Sequence, residues 1–144
     1  MADLALTAAQ ISAVYPQFAE VYSFIAAETI TAGQVVAFDT SADDDKLYVA
    51  DGDDGDIDQP VGVALEGGGA GQAIPVLVRG FVEGYTVSAI ANYTLLYLSD
   101  TAGAIATTGA ESTANAAMGR IMPNSQSTPR LLVFVDCSFN TQWS

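Results

Sequence analysis

The residues best suited to chemistry are eight aspartates, Asp43, Asp44, Asp45, Asp51, Asp53, Asp54, Asp56 and Asp58, all within sixteen positions. Dense carboxylates on a glycine-containing loop suit a hard cation such as Ca²⁺, which takes about six to eight oxygen ligands. An EF-hand loop needs acids at positions 1, 3 and 5, glycine at 6 and glutamate at 12. Counted from Asp51, position 5 is Gly55, position 6 is Asp56 and position 12 is Gly62. Counted from Asp54, the acids fit, but position 6 is Gln59 and position 12 is Leu65. Neither frame works, and the block reads as a solvated acidic loop.

The other candidates are weaker. Gly67-Gly-Gly-Ala-Gly71 could cradle a phosphate, but no Lys-Ser or Lys-Thr follows it and its flanks read strand–loop–strand. A Gly-Gly-x-Gly-x-Asp calcium repeat fails because Ala73 stands where the aspartate belongs. Glu66 and Glu83 could in principle serve glycoside hydrolysis, yet nothing sets them apart from the other acids. Asn92-Tyr-Thr94 has the spacing of a glycosylation acceptor, which without a secretion signal reads as chance. Cys137 is the only cysteine, which excludes an intramolecular disulfide and fits a small buried apolar residue. The chain has no histidine, and so lacks the usual general base and the commonest metal ligand. No catalytic constellation, cofactor site or metal site emerges, so the chain does not read as an enzyme. Arg79 stands out, since it interrupts an apolar run in a chain with four basic residues. Arginine there suits pairing with a carboxylate, within the subunit or across an interface.

Seventeen acids against four bases give a net charge of −13 over 144 residues. So few cations cannot neutralise phosphates, which argues against direct nucleic-acid binding. The same charge keeps copies apart unless a specific apolar interface overrides the repulsion. Apolar residues come in short runs, none near the roughly 18 needed to span a membrane. The first lysine or arginine is Lys46. The basic start of a signal peptide is therefore missing, and the expectation is a protein that stays in the compartment where it is made.

The elements that would carry these residues are short strands. Val61–Leu65 and Ala73–Phe81 alternate apolar and small residues around the glycine-rich stretch 66–72, which predicts a hairpin or a strand-to-strand crossing. Val35–Asp39, Leu47–Ala50, Leu95–Leu98, Ala117–Met122 and Leu131–Val135 read as further strands, with one more short strand in the polar stretch 101–115. A local device recurs before several of them: Ala32-Gly-Gln34, Ala70-Gly-Gln72 and Ala91-Asn-Tyr-Thr94. The expectation is an all-β barrel or sandwich of about eight to ten short strands over residues 29–144. Residues 1–28 differ and read as a partly helical or extended arm with an apolar face that either packs on its own domain or docks on a neighbouring subunit or a partner. Thr7 and Gln10 have capping-box spacing, and Leu4, Ala8, Ile11 and Tyr15 recur at helical intervals until Pro16. Phe18, Val21, Tyr22 and Ile25 also have helical spacing, though Val21–Ile25 fits a strand equally well. Near the other end, Trp143 would cover the core or fill a partner's pocket.

The order Glu28-Thr-Ile-Thr-Ala-Gly-Gln34, Val61-Gly-Val-Ala-Leu-Glu-Gly67, Ala70-Gly-Gln72, Val76-Leu-Val-Arg-Gly80, Leu96-Tyr-Leu-Ser-Asp100, Gly103 and Gly119-Arg-Ile121 resembles the capsid decoration (cement) proteins of tailed bacteriophages. The likeness covers roughly residues 20–135 and rests on glycine-punctuated strands. It implies a β-rich virion protein, made in the host cytoplasm, that binds the outer surface of the assembled head. Such a protein is often a homotrimer and bridges neighbouring major capsid protein subunits. The docking residues expected here are Leu4, Ile11, Tyr15, Phe18, Tyr22 and Trp143, with Arg79 in an interface ion pair. The alternatives are another virion component (a head-fibre base, tail or adhesion module) or an acidic extracellular β-module stabilised by Ca²⁺.

Overall fold

The computed structural model describes residues 3–107, 117–124 and 130–138, with the side chains of Asn124 and Arg130 left aside. Its strands are β1 Ser12–Val14, β2 Glu20–Ile25, β3 Val35–Phe38, β4 Leu47–Val49, β5 Gly62–Ala64, β6 Ala73–Glu83, β7 Leu95–Leu98, β8 Ile105–Ala106, β9 Ala117–Asn124 and β10 Arg130–Asp136. They form one antiparallel sheet in the order β4-β3-β5-β6-β10-β9-β7-β8, with β1 and β2 added to β6, and the sheet curls into a half-barrel. The all-β expectation holds, and the strands from β3 to β10 begin and end close to where alternation places them.

Strand β6 is the common wall. One of its edges carries β5 at Val76 and Leu77, then β10 from Arg79 to Val82. The other edge carries β2 from Ala73 to Arg79, then β1 from Phe81 to Glu83. Its side chains serve two separate apolar clusters. Leu77 and Val82 join the larger one, with Val35, Leu96, Leu98, Met118, Ile121, Val133 and Val135. Ile74, Val76 and Val78 join the smaller one, with Ile30, Val36, Leu47 and Val61. Strands β3 and β5 are likewise shared between the clusters, through Val35 against Val36 and through Val63 against Ala64. A strand buried on both faces needs a near-continuous apolar run, and Ala73–Val78 supplies one.

The alternation of β6 is broken along its length, since Leu77 and Val82, opposite in parity, join the same cluster. As β2 advances from Glu20 to Val21, its partner on β6 jumps from Arg79 to Leu77, leaving Val78 as the extra residue of a bulge. Gly80 follows with φ +147°, a conformation that side chains rarely adopt. A Cβ at that position would also lie 3.1 Å from Leu77 Cδ1 and 3.2 Å from Ala19 Cβ.

The recurring Ala-Gly-Gln device is a β-turn with positive φ at its third residue. In residues 31–34, Gln34 N–H donates to the Thr31 carbonyl at 3.1 Å, and the Gln34 side-chain oxygen accepts from Thr31 N–H at 2.9 Å. Residues 69–72 repeat both bonds, at 3.1 and 2.6 Å. Gly33 and Gly71 take the positive φ, and Tyr93 does so in residues 91–94, where Thr94 Oγ1 donates to the Ala91 carbonyl at 2.6 Å. The loop between β5 and β6 closes a hairpin and is pinned by reciprocal backbone bonds between Ile30 and Gly68.

The N-terminal segment departs from its helical spacing. It contains two 3₁₀ turns, Ala8–Gln10 before β1 and Pro16–Phe18 between β1 and β2, the two strands that pair with one edge of β6. Thr7 makes no side-chain cap bond. The sequence Val-Tyr-Ser-Phe-Ile is rich in strand-favouring residues, and the ladder of β6 offers it partners that an isolated short helix lacks.

Gly80→Ala is expected to lower the unfolding free energy by roughly 1–3 kcal/mol. The check is a lower denaturant midpoint at unchanged slope. A midpoint equal to that of the parent would mean that β6 does not depend on this break in its alternation.

Candidate docking surface

The sheet register brings side chains from five strands onto one outer face. Val14, Phe81 and Phe134 are successive partners across β1, β6 and β10, and Arg120 and Leu95 continue the row across β9 and β7. Directly opposed residues of antiparallel strands point to the same face. A second row beside it runs Glu20, Arg79 and Asp136. The Phe81 and Phe134 rings lie 5.0 Å apart, and Tyr15 meets Phe81 edge-on at 5.9 Å. Tyr15 holds this position in a left-handed conformation, φ +57°, at the start of the Pro16–Phe18 turn.

Arg79 is 53% exposed, and its guanidinium carbon lies 6.0 Å from the Phe134 ring centre. Its Nε is 3.5 Å from Asp136 Oδ2. The other Asp136 oxygen accepts from Ser138 N–H at 3.1 Å and from the Ser138 hydroxyl at 2.5 Å. The carboxylate expected for Arg79 thus comes from its own chain, through one nitrogen at long range.

Next to this face, Phe18 is 80% exposed on its turn and Tyr22 is 51% exposed on β2. Val21 and Ile25 are also exposed, on the opposite face of β2 from Tyr22. The remaining expected docking residues lie elsewhere. Leu4 and Ile11 are buried in the larger cluster, so their side chains complete the protein's own core and are not presented to a partner. Both follow irregular backbone, and helical spacing alone could not distinguish an apolar face turned inward from one turned outward. Trp143 lies outside the described residues. Sequence reasoning missed Phe81, Phe134 and Arg120 as members of one surface. Their only signal is strand register, which a single sequence does not specify.

The acidic block is built from turns. Asp39 Oδ1 accepts from Ser41 N–H, the Ser41 hydroxyl and Ala42 N–H at 2.8, 2.7 and 3.1 Å. Asp44, Asp51 and Asp54 each accept the N–H two residues on, from Lys46, Asp53 and Asp56. These are Asx-turns, in which the carboxylate stands in for a backbone carbonyl. Among the described residues, no three acidic or thiol side chains converge into a group that could hold a metal ion. The Tyr48 hydroxyl donates to Asp44 at 2.6 Å, and this bond pushes the phenol up to about 12. Elsewhere, burial and then the Asp136 charge push the Cys137 thiol up to about 12, so it is inert as a nucleophile.

No family model matches the chain, and neither a curated protein nor a solved structure resembling it is found.

The Ser41 hydroxyl bond, followed by the backbone bonds, holds the Asp39 carboxyl below its usual 3.8, and the Tyr48 bond does the same for Asp44. Carboxyls depressed by folding contribute stability above that value and lose it as pH falls through the folded-state pKa. In a carboxyl-carbon NMR titration, Asp39 should therefore protonate below pH 3.8 and move back toward it in Ser41→Ala. An unchanged midpoint in that variant would remove the hydroxyl as the cause.

Proposed function

We propose that this chain is a structural protein of a phage virion that docks on the outside of the assembled head and bridges neighbouring major capsid subunits. The observation that carries the reading is the exposed apolar strip of Phe18 and Tyr22, with Val21 and Ile25 exposed on the opposite face of β2. It sits on a stiff β scaffold in a chain whose charge of −13 otherwise opposes association. Support also comes from the resemblance of residues 20–135 to capsid decoration proteins. A homotrimer at the three-fold positions of a lattice is part of the same proposal.

The energetics are those of repeated weak docking. Burying the strip gains about 25 cal/mol per Å² of apolar area, less the cost of ordering the interface. A lattice of identical sites held by a multivalent protein then raises retention well above that of one contact. Neither catalysis nor a cofactor has a part in it.

The test is to band nuclease-treated particles from the source culture by density and quantify this protein against the major capsid protein. Hundreds of copies per particle at a fixed ratio are expected. A few copies would assign it to a tail or vertex, and absence from particles would overturn the virion reading. Phe18→Ala with Tyr22→Ala should change the unfolding free energy by no more than about 0.5 kcal/mol per site, because both side chains are exposed. The same pair should reduce retention on heads, each truncation costing on the order of 1–2 kcal/mol of docking free energy.

A further inference from the structure

The outer face of β1, β6, β10, β9 and β7, with the start of β2, holds half of the chain's basic residues against only Glu20, Glu83 and Asp136 of its seventeen acids. The two basic residues, Arg79 and Arg120, lie there on either side of the Phe81–Phe134 ring pair. Arg120 is exposed and, among the described residues, makes no ion pair. Arg79 is oriented by the Phe134 ring and by one Asp136 oxygen on its Nε, and its two Nη groups take no partner among the described residues. Beside it opens a cleft of about 230 Å³ lined by Val14, Tyr15, Phe18, Arg79, Phe81 and Phe134.

We propose that this face binds an extended segment of a partner protein that presents carboxylates next to apolar side chains. The reading rests on the chain's being a docking protein, and it does not depend on who the partner is. A guanidinium fork is planar and pairs two nitrogens with the two oxygens of one carboxylate. The aromatic cleft beside it accepts one apolar side chain. The row from Val14 to Leu95 crosses five strands, about 19 Å at the usual strand spacing, which an extended segment of roughly six residues covers. Charge selects the chemistry of the occupant. Glu20 and Asp136 share the face, and the chain as a whole is strongly acidic, so a polyphosphate backbone is repelled while an isolated carboxylate meets an arginine. A second copy would bring its acid-rich loop, in which Asp44, Asp51 and Asp54 are engaged in turns and which offers no large exposed apolar side chain for the cleft.

The test uses the whole chain, labelled with ¹⁵N, and two capped peptides: acetyl-Glu-Phe-Asp-Leu-Gly-amide and its isosteric counterpart acetyl-Gln-Phe-Asn-Leu-Gly-amide. Saturable shifts at the Arg79 and Arg120 side chains and at the Phe81 and Phe134 amides are expected for the acidic peptide. Its affinity should fall at least tenfold in Arg79→Gln and in Arg120→Gln, two surface changes that leave the fold intact. The neutral peptide should bind at least tenfold more weakly to the parent. No shifts, shifts on another face, or equal binding of the two peptides would overturn the proposal. Equal binding of a short single-stranded oligonucleotide would overturn it in favour of a phosphate site. Self-association in sedimentation, abolished by Arg79→Gln, would overturn it in favour of a second copy. Failure of the peptide test would leave the particle-banding result untouched, so the two readings fall separately.

Discussion

Everything else in the molecule depends on β6 pairing along both edges while its first half, Ile74–Val78, is buried on both sides. An eleven-residue strand in that position satisfies its backbone through four neighbours and places side chains in two clusters. Alternation alone divides Ile74–Val78 between the clusters, but unbroken it would turn Val82 to the side of Ile74, Val76 and Val78, away from Leu77. The bulge at Val78 and the positive φ at Gly80 break the alternation where the neighbour changes from β5 to β10. Beyond the break, Arg79 and Phe81 turn outward while Val82 stays in the larger cluster. The bulge that returns Val82 to the cluster of Leu77 thus also turns Arg79 and Phe81 to the outer face.

The candidate docking surface follows from this constraint. Tyr15 and Phe18 are held by the short turn that carries the chain from β1 to β2 across Gly80, with Ala19 against that glycine. The strip on β2 and the arginine-bearing row are therefore two parts of one rigid platform. Preorganisation of this kind lowers the entropic cost of association, which matters most where each contact is small and the sites are many. The acidic loops serve the opposite purpose. Their carboxylates shape turns locally, and their summed charge discourages contact anywhere else.

Much of the β architecture was legible because it is coded locally. Alternation in Val61–Leu65 and Ala73–Phe81 marks strands, and the repeated Ala-Gly-Gln marks a turn whose glutamine caps its own first residue. Residues 1–28 were misread in part for the reverse reason. Their conformation is set by distant residues of β6, and the spacing of Leu4, Ile11, Tyr15 and Phe18 fits a helix that is never built. Burial divided that set, with Leu4 and Ile11 going inward and Phe18 outward. The surface row of Val14, Phe81, Phe134, Arg120 and Leu95 could not be read at all, since its members are brought together only by register.

The most direct test of β6 as a shared wall is native-state hydrogen exchange across a denaturant series. Buried amides of the smaller cluster, at Val36 and Val76, should converge with those of the larger one, at Val82 and Val133, on a single global unfolding free energy. Separate opening of the smaller cluster at a clearly lower free energy, with Val82 and Val133 still protected, would contradict the account.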